Sequence, residues 1–528
     1  MNNTYQVVIV GGGPVGAALA VELGMRGISC ALVERRQTLP NIPKGQNLTQ
    51  RTLEHFYFWG LADELRAARA MPPGYPIGEL TAYGTLMSDH WFASAGREVV
   101  RPYYFQDNER LPQYATEEVL RRKMTSLPSV TDYFGWTATA LSQDANSAQV
   151  VIENTGGEKL TLEADYIVGC DGGHSMIREK AGIERRGTDF DQVMLLAVFR
   201  SRQLHDALER FPQRSTYRVM RPELNGYWQF FGRIDVGEGW FFHAPVPSEA
   251  MKDSNFDFLS VIRDSAGFDF ACEIDHVGFW DLRVSVAERY QNGRIFIAGD
   301  AAHTHPPYGG FGLNNGLEDA INLAWKLAAK LQGWGGDPLL ESYSLERRPV
   351  FRDTGEDFIA QRIKADAVFF DTYNPHTDLA AFESAWNARK SEGGARAQAY
   401  VPNYAGSPVV YGQAGEVSGA HGEHMFKARA GHHLSPQVLS SGKNVFEILD
   451  RGFNLLAFGA DDSDVKQMVN AAESLSIPLN VVRDTINDER GQYEAKLVLV
   501  RPDQFVAWAG DAAPSDAKSL FARVSGTA

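Results

Sequence analysis

Three short segments, far apart in the chain, carry residues that could bind a nucleotide-containing cofactor. They are the glycine-rich loop at residues 11–16, the pair Asp171-Gly172, and the pair Gly299-Asp300 within residues 293–303. Glycine lets the backbone approach a ligand closely, and a carboxylate at the end of a strand can accept hydrogen bonds from sugar hydroxyls. Each segment alone is a weak signal, but the three in this order predict flavin chemistry.

The first loop has the spacing of a dinucleotide-binding turn. Gly11 permits a sharp turn, Gly13 lets the backbone approach a pyrophosphate, and Gly16 lets a helix pack closely on a strand. Glu34 follows Gly16 by 18 residues and ends the next strand, close to the position of an acid that binds a ribose. The loop alone is compatible with NAD or FAD, so the other two segments decide in favour of FAD.

Strands and helices of a βαβ unit must position these segments. Residues 5–10 and 28–34 predict two strands, joined by a helix from about residue 14 to residue 26. A buried strand at 295–298 leads into Gly299-Asp300, and a helix with one apolar face follows and ends at Gly333. We therefore expect the chain to re-enter the first domain here.

The intervening chain is rich in aromatic residues and has a different pattern. Residues 215–221, 227–234 and 240–246 predict strands, and glycine-bearing loops separate them, which indicates an antiparallel meander. We expect this sheet to close over the ligand cleft of the first domain.

The last part of the chain predicts a small domain of its own. Residues 393–436 are rich in Gly, Pro, Ala and Tyr with little periodicity, which is typical of a linker. A βαβ pattern at 453–483, followed by a hairpin at 496–509, suggests a thioredoxin-like domain. This domain contains no cysteine, which excludes thiol redox chemistry there.

The predicted fold is therefore α/β: a Rossmann-like FAD-binding domain, an inserted antiparallel β-sheet substrate domain and a C-terminal thioredoxin-like domain. The FAD-binding domain is predicted at residues 1–188 and 289–392, and the β-sheet domain at 189–288. The linker is predicted at 393–436, and the thioredoxin-like domain, without a CxxC pair, at 437–528.

Composition argues against several classes of function. The chain has 528 residues and a net charge of −15, which disfavours nucleic acid as a partner. Its three cysteines are widely spaced, so we expect neither a disulfide framework nor structural zinc, and we predict a cytoplasmic location. No apolar run approaches the roughly 18 residues needed to span a bilayer, and we expect no membrane association.

On its three motifs the chain resembles the aromatic-hydroxylase branch of FAD-dependent monooxygenases, those related to para-hydroxybenzoate hydroxylase and phenol hydroxylase. The resemblance covers most of residues 1–390, and the C-terminal part is similar to the thioredoxin-like tail of the phenol hydroxylase subgroup. It implies that Asp171-Gly172, with Ser175 and Arg178, serves FAD and the nicotinamide cofactor, and that Asp300 binds the ribityl chain. Many members of the subgroup dimerise, and a homodimer is considered on that ground alone.

The resemblance also implies a set of cofactor contacts. The amides of Leu313 and Asn314 are expected to hold the N1/O2 edge of the flavin, where a helix start presents N–H donors. Arg51 matches an arginine near the FAD phosphates or the nicotinamide, and Gln113 matches a glutamine that contacts the cofactor. For both, a surface salt bridge or a helix cap is the alternative. The predicted cofactor-binding residues are Gly11, Gly13, Pro14, Val15, Gly16, Glu34, Arg35, Arg51, Gln113, Asp171, Gly172, Asp300, Pro307, Gly312, Leu313 and Asn314.

His303 and His305 follow Asp300 closely and suggest a metal site. We predict no metal, because acidic partners are missing and the resemblance gives the histidine after this aspartate a structural role.

Candidate substrate residues lie in the aromatic segment. Those assigned to the substrate pocket are Tyr217, Arg233 and His243, with Trp228, Phe230 and Phe242 as further candidates. Phe242 and His243 point to opposite faces of one strand, so at most one of them faces the flavin. His243 could deprotonate a phenol, and the alternative is a histidine on the sheet surface.

Gln46 occupies the place where phenol hydroxylase carries an aspartate near the substrate. A glutamine cannot act as a base, so the resemblance does not explain how a phenol is activated.

The predicted function is FAD- and NAD(P)H-dependent hydroxylation of a phenolic or related aromatic compound by O2, through a flavin C4a-hydroperoxide. The partners are a small aromatic substrate and O2, with NAD(P)H as co-substrate. Two alternatives stay open: an FAD-dependent dehydrogenase without oxygen insertion, and a non-catalytic protein that binds flavin or an aromatic ligand. The sequence lacks the tryptophan-rich signature of flavin-dependent halogenases.

Overall fold

A computed structural model of the chain describes residues 3–188, 192–253, 255–485 and 491–528. Within these ranges the α-helices are Pro14–Met25, Gln50–Phe58, Ala62–Ala67, Gln113–Thr125, Met176–Lys180, Arg202–Ala207, Phe258–Ala266, Phe311–Leu331, Asp337–Asp353, Gln361–Thr372, Leu379–Ala388, Glu392–Ala399, Asp462–Ser474 and Ala517–Val524. A π-helical segment, Thr354–Ala360, joins the two helices on either side of it. No helix in the described ranges is long and apolar enough to cross a membrane.

The first sheet, which we call the nucleotide sheet, has a parallel centre. Its strands are Thr4–Val10, Cys30–Glu34, Val130–Phe134, Trp136–Gln143, Ala148–Asn154, Lys159–Gly169, Gln291–Asn292 and Ile295–Ile297. Thr4–Val10 pairs in parallel with Cys30–Glu34 on one side and with Lys159–Gly169 on the other. Ile295–Ile297 pairs in parallel with Lys159–Gly169, which confirms that the chain returns to this sheet ahead of Asp300.

Two helices on this sheet begin at the predicted motifs. Helix Pro14–Met25 packs against helix Phe311–Leu331, and the later helix ends two residues before Gly333, which has φ +85°. A Cβ on Gly316 would lie 2.6 Å from Val15 Cγ2. Glycine at this position therefore lets the second helix start directly against the glycine-rich loop.

The second sheet, which we call the aromatic sheet, is almost entirely antiparallel. Its strands, in spatial order, are Glu273–Asp281, Gln192–Arg200, Gly239–Pro247, Trp228–Arg233, Thr216–Met220, Glu79–Tyr83 and Trp91–Ala93. Thr216–Met220, Trp228–Arg233 and Gly239–Pro247 form the predicted antiparallel meander. The last two strands come from a segment to which the sequence assigned no strands, and Glu79–Tyr83 pairs in parallel with Thr216–Met220. They are five and three residues long and pair with a distant part of the chain, so local patterns do not reveal them.

Two small sheets connect these layers. Arg185–Thr188, Val284–Ala287 and His303–Thr304 form one of them. Asn47–Leu48 pairs with Glu109–Arg110 in the other, where Asn47 lies opposite Arg110.

The C-terminal domain has the predicted thioredoxin-like arrangement. Its sheet has the spatial order Leu479–Asp484, Phe453–Phe458, Leu497–Val500 and Val506–Gly510. The first two strands are parallel and joined by helix Asp462–Ser474, and the last two form the predicted hairpin.

The predicted linker is more structured than its composition indicates. Helix Glu392–Ala399 reaches into it, and strands Tyr400–Asn403 and Gly419–His421 pair with each other. Such short strands leave little periodicity in the sequence. The predicted domain boundaries stay predictions.

Buried charges join the C-terminal domain to the first domain. The fully buried guanidinium of Arg501 donates to both carboxylate oxygens of Glu346, at 2.7 and 2.9 Å, and also contacts Asp503. Lys326, on helix Phe311–Leu331, donates to Glu346 at 2.6 Å. The helix that begins at the cofactor motif is thereby fixed to the last domain of the chain.

Candidate functional site

One large cavity lies between the nucleotide sheet and the aromatic sheet. Its volume is about 1290 Å³, and residues from all three predicted motif segments line it. The cofactor-binding residues that were predicted and that line it are Gly11, Gly13, Pro14, Val15, Glu34, Arg35, Gln113, Asp171, Gly172, Asp300, Pro307, Gly312 and Leu313. Gly16, Arg51 and Asn314 do not line it.

The glycine-rich loop gives one end of the cavity its shape. A Cβ on Gly11, which has φ +109°, would lie 2.2 Å from the Cys170 carbonyl oxygen, and a Cβ on Gly16 would lie 1.9 Å from the Gly11 carbonyl oxygen. A Cβ on Gly13 would meet no atom of the described chain within 4 Å. Gly11 and Gly16 are thus required by the fold, whereas Gly13 keeps open a space that the protein does not fill.

The same loop opens a helix whose N-terminal N–H groups are available. Gly13 is the N-cap of helix Pro14–Met25 and provides no side-chain cap. A helix N-terminus that points into a cavity favours a negatively charged group, and a pyrophosphate fits this position.

Glu34 ends its strand at the cavity wall. Its carboxylate accepts hydrogen bonds from the Gly12 amide at 2.8 Å and from the Arg36 amide at 2.9 Å. These bonds orient the side chain beside the glycine-rich loop, where a ribose hydroxyl could donate to it.

Asp171 and Asp300 both line the cavity but have different surroundings. The Asp171 carboxylate accepts from the Ser175 hydroxyl and from the Ile177 amide, so it caps helix Met176–Lys180. The Asp300 side chain is exposed to the cavity, and no hydrogen bond to its carboxylate is found within the described residues. Enclosure by protein raises the pKa of both carboxyl groups. Of these two carboxylates, the Asp300 carboxylate is the one whose oxygens are available to a ligand.

The loop after Asp300 reaches across the cavity to the aromatic sheet. Gly309 and Gly310 have positive φ values of 79° and 66°, and Gly310 starts helix Phe311–Leu331 without a side-chain cap. The Tyr308 hydroxyl accepts from the Trp228 amide at 3.2 Å and donates to the Trp228 carbonyl at 3.1 Å. The loop is thus fixed to the sheet opposite the cofactor motifs.

The side chain of Asn314 braces this helix start. Its oxygen accepts from the Thr49 amide at 2.9 Å and from the Thr52 hydroxyl at 2.6 Å. Its nitrogen donates to the carbonyls of Asn47 and Gly310. The structure therefore gives the Asn314 side chain a positioning role beside the cavity.

Arg51 lies in a buried ionic network outside the cavity lining. Its guanidinium contacts Glu318 at 3.2 Å, Glu54 at 3.1 Å and Gln504 at 2.9 Å, and it donates to the Asp503 carbonyl at 2.6 Å. The side chain thereby links the first domain to the C-terminal domain. Gln113 does line the cavity, and its amide donates to Glu117 at 2.6 Å.

The aromatic sheet presents a row of rings to the cavity. Trp228, Phe230, Phe241, His243 and Trp280 line it. Tyr217, Arg233 and Phe242 lie on the opposite face, where Arg233 contacts the Tyr217 hydroxyl at 3.4 Å and His205 Nδ1 at 2.7 Å. Of the three residues assigned to the substrate pocket, the structure places His243 at the cavity and leaves Tyr217 and Arg233 behind the sheet. Strand alternation separates the two faces, but it does not say which one meets the ligand.

His243 is a neutral imidazole enclosed by rings. Its ring centroid lies 4.5 Å from Phe230, 4.9 Å from Trp280 and 5.2 Å from Phe241. Burial lowers the pKa of His243 to about 3, against the opposing effect of a hydrogen bond to the Leu195 backbone. Nδ1 has no hydrogen-bond partner among the described residues. Such a group can exchange a hydrogen bond with a ligand, but it is a weak base.

His303 and His305 have structural contacts. His303 is hydrogen-bonded to Asp319 at 2.6 Å and stacks on Phe351 at 3.8 Å, and His305 Nδ1 contacts the Pro306 carbonyl at 2.5 Å. The prediction that no metal binds stays a prediction.

Several cationic residues of the cavity wall were not anticipated from the sequence. They are Arg97, Arg110, Arg362 and Arg396. Each is brought to the wall by a short element or by a contact distant in sequence, and no local pattern marks them.

Comparisons with known proteins agree with this site. The chain matches the family model described as FAD binding domain over residues 4–356, and the one described as aromatic-ring hydroxylase, C-terminal, over residues 428–528. It is 29% identical to a 4-methyl-5-nitrocatechol 5-monooxygenase of Burkholderia sp, covering 95% of this chain and 93% of that protein. It is 30% identical to a putative polyketide hydroxylase of Streptomyces halstedii, covering 95% and 92%.

A solved structure shares the whole architecture. The rebeccamycin biosynthetic enzyme RebC with reduced flavin matches with a TM-score of 0.82 at 26% identity, over 99% of both chains. The predicted fold, the FAD cofactor and the NAD(P)H-dependent hydroxylase activity are thereby confirmed. The chain belongs to the FAD-dependent aromatic-ring hydroxylases, a family of flavoprotein monooxygenases.

Proposed function

We propose that the chain hydroxylates a phenolic compound that lies on the ring-lined face of the aromatic sheet, opposite the cofactor motifs. The observation that carries this proposal is the single cavity shared by the three motif segments and by Trp228, Phe230, Phe241 and His243. Binding pockets usually measure about 300–1,000 Å³. A cavity of about 1290 Å³ would hold a substrate beside a dinucleotide. Relatives whose names specify a nitrocatechol and a polyketide as substrates support the phenolic class.

The residues present fit FAD. Gly13 leaves the space for a pyrophosphate, Glu34 stands where the ribose would lie, and Asp300 offers its carboxylate to the ribityl hydroxyls. The first amides of helix Phe311–Leu331 would hold the pyrimidine edge. Bound FAD supplies the redox chemistry, in which electrons from NAD(P)H activate O2 and one oxygen atom is added to the ring.

The chain's own side chains would orient the substrate and exclude water. Trp228, Phe230 and Phe241 provide flat apolar surface for an aromatic ring. His243, held neutral, would accept or donate one hydrogen bond to the ring hydroxyl. Since Gln46 cannot remove a proton and His243 is a weak base, we propose that the substrate hydroxyl is positioned rather than deprotonated by these groups.

A substrate screen tests this proposal. The purified protein should contain FAD, and a phenol that binds should stimulate the oxidation of NADH or NADPH and the uptake of O2, with a hydroxylated product identified by mass spectrometry. Phe230→Leu, on the cavity face, should raise the KM for that phenol about tenfold, because it removes ring surface from the binding face. Phe242→Leu, on the opposite face of the same sheet, is the matched control and should leave the KM unchanged.

The proposal fails if the protein takes up no FAD, or if no phenol stimulates NAD(P)H oxidation. A cytoplasmic location and a homodimer stay predictions. Light scattering on the purified protein would test whether it forms a homodimer.

A further inference from the structure

We propose that the substrate of this enzyme is an aromatic acid, whose carboxylate pairs with Arg110 at the Phe241 end of the ring-lined face. This inference rests on the proposed function and narrows the class of its substrate.

Arg110 is a buried guanidinium at the cavity wall without an acidic partner. It is 3% exposed, and its nitrogens donate to Asn47 Oδ1 at 2.8 Å, to the Arg233 carbonyl at 3.1 Å and to the Thr216 hydroxyl at 3.3 Å. All three acceptors are neutral, and no carboxylate forms a salt bridge with it in the described part of the chain. Its Nε has no hydrogen-bond partner among these residues.

Three other buried arginines of this protein have an acidic partner. Arg347 contacts Asp319 at 2.7 Å, Arg501 contacts Glu346 at 2.7 Å, and Arg389 is paired with Asp366. A charge taken out of water is costly unless an opposite charge and hydrogen bonds replace the water. Burial also lowers the pKa of Arg110 to about 9, which is consistent with the missing anion. A ligand carboxylate would supply it.

A second buried donor without a partner lines the same cavity. Gln46 lines the cavity, and its backbone carbonyl accepts from the Leu111 amide at 3.0 Å, so it stands opposite Leu111, one position along the short ladder from the Asn47–Arg110 pair. Gln46 is 7% exposed, and its side-chain Nε2 has no hydrogen-bond partner among the described residues. An ionised carboxylate only accepts hydrogen bonds, so two unpaired donors in the wall of one cavity suit it better than they suit a hydroxyl or an amide.

The charge of the surrounding wall favours an anion as well. The chain as a whole carries a net charge of −15. Five described carboxylate residues line the cavity, and four of them, Glu34, Glu117, Asp171 and Asp300, belong to the cofactor side. The rest of the lining contains Glu79 and five arginines, which are Arg97, Arg110, Arg283, Arg362 and Arg396. Positive charge focused in a cleft attracts anionic ligands even when the protein surface is acidic.

Arg362 marks the other end of the ring-lined face and has two carboxylates within 4.0 Å, although its Nε and Nη2 form no hydrogen bond among the described residues. Its guanidinium lies 4.3 Å from the Trp228 ring, with Glu79 at 3.9 Å and Asp366 at 4.0 Å. Arg110 lies 5.6 Å from the Phe241 ring and has no such neighbour. A carboxylate is therefore assigned to the Arg110 end.

The test compares two probes of nearly the same shape, the anion 6-hydroxy-2-naphthoate and the neutral 6-hydroxy-2-naphthamide. Their dissociation constants are measured with the oxidised holoenzyme by the change in flavin absorbance and by calorimetry. A charge-assisted hydrogen bond stabilises a complex by about 1.5–3 kcal/mol, so the acid should bind about 10- to 100-fold more tightly than the amide. Arg110→Gln should abolish this preference and leave the affinity for the amide nearly unchanged, and Arg110→Lys should restore part of it.

Arg233→Gln is the matched control. Arg233 is equally buried and also contacts no carboxylate in the described chain, and its side chain lies on the face of the aromatic sheet that is turned away from the cavity. The preference for the acid should survive in this variant, which separates charge at the cavity from the general effect of removing a buried arginine.

Equal binding of acid and amide by the wild type would overturn the inference, and so would a preference that survives in Arg110→Gln, or binding of neither probe at millimolar concentration. If a neutral phenol is hydroxylated at the same time, the proposed function stands and only the acidic substrate class is wrong. If no phenol stimulates NAD(P)H oxidation, the proposed function itself has failed.

Discussion

The Tyr308 hydroxyl is hydrogen-bonded to both the amide N–H and the carbonyl oxygen of Trp228, and the two rings stack with their centroids 3.7 Å apart. Tyr308 belongs to the loop that follows the Asp300 motif, and Trp228 belongs to the sheet that is proposed to bind the substrate. This pair therefore fixes the cofactor loop and the substrate surface relative to each other.

Tyr308→Phe should lower the stability of the protein by about 1–3 kcal/mol, because it leaves buried backbone groups of Trp228 without their partner. We also expect a larger share of NAD(P)H oxidation to yield hydrogen peroxide instead of product. Chemical unfolding and a peroxide assay measure the two effects. Tyr290→Phe is the control, because the buried Tyr290 hydroxyl has no hydrogen-bond partner in the described chain and its removal should cost little. Equal losses in the two variants would contradict this role of Tyr308.

Gly13→Ala should keep the fold and weaken the binding of FAD. The added Cβ meets no protein atom within 4 Å, and φ at Gly13 is −69°, which alanine adopts readily. The methyl group would occupy the space assigned to the pyrophosphate, so we expect FAD to bind about tenfold or more weakly at unchanged unfolding temperature of the apoprotein. Gly16→Ala should instead destabilise the apoprotein, since its Cβ would lie 1.9 Å from a carbonyl oxygen. Undiminished FAD affinity in Gly13→Ala would exclude this assignment.

Stability should fall at acid pH partly through His243. An unfolded histidine takes up a proton near pH 6.5, whereas burial holds the pKa of His243 at about 3 in the folded state. The unfolded state therefore binds more protons between these values, and the stability present above pH 6.5 is lost as the pH falls towards 3. His243→Phe should remove about 2 kcal/mol of the stability difference between pH 7.5 and pH 5.0, measured by urea unfolding.

The same depressed pKa gives a kinetic expectation. No ionisation of His243 should appear in the rate of hydroxylation between pH 6 and pH 9. A wild-type rate that falls with an apparent pKa of about 6.5, and loses that dependence in His243→Phe, would show that His243 acts as a base.

Removing Arg501 should weaken the attachment of the C-terminal domain. Arg501→Met leaves Glu346 and Asp503 as buried, partly uncompensated carboxylates, and breaking a buried ion pair costs about 3–5 kcal/mol. Arg483→Met removes an exposed pair with Asp462 in the same domain and should cost at most about 1 kcal/mol. Thermal unfolding of both variants measures this difference, and similar values would mean that the buried network contributes no more than a surface pair.

The sequence was sufficient for the fold class and for one side of the cavity. Glycine spacing, strand ends and hydrophobic periodicity are local properties, and they placed Gly13, Glu34 and Asp300 at elements that do meet at the cavity. It was insufficient where partners lie far apart in the chain. Strand Glu79–Tyr83 pairs with residues more than 130 positions away, and Arg51 contacts residues more than 450 positions away.

The substrate side was harder to predict for a geometric reason. Neighbouring residues of a strand face opposite sides, so Phe242 and His243 could be separated without knowing which side met the ligand. Tyr217 and Arg233 were assigned to the pocket on residue type and lie behind the sheet. Arg110 lies on a strand of only two residues, which is too short to show a periodic pattern in the sequence.

The measurement that tests the central claim most directly is the mass of the product formed from a phenolic substrate under ¹⁸O2. If the cavity is the site of aromatic hydroxylation, the product gains one ¹⁸O atom for each product molecule formed, and none when the label is in the water. A product that carries oxygen from water, or an oxidised product that has gained no oxygen, would contradict the account and would indicate a dehydrogenase instead.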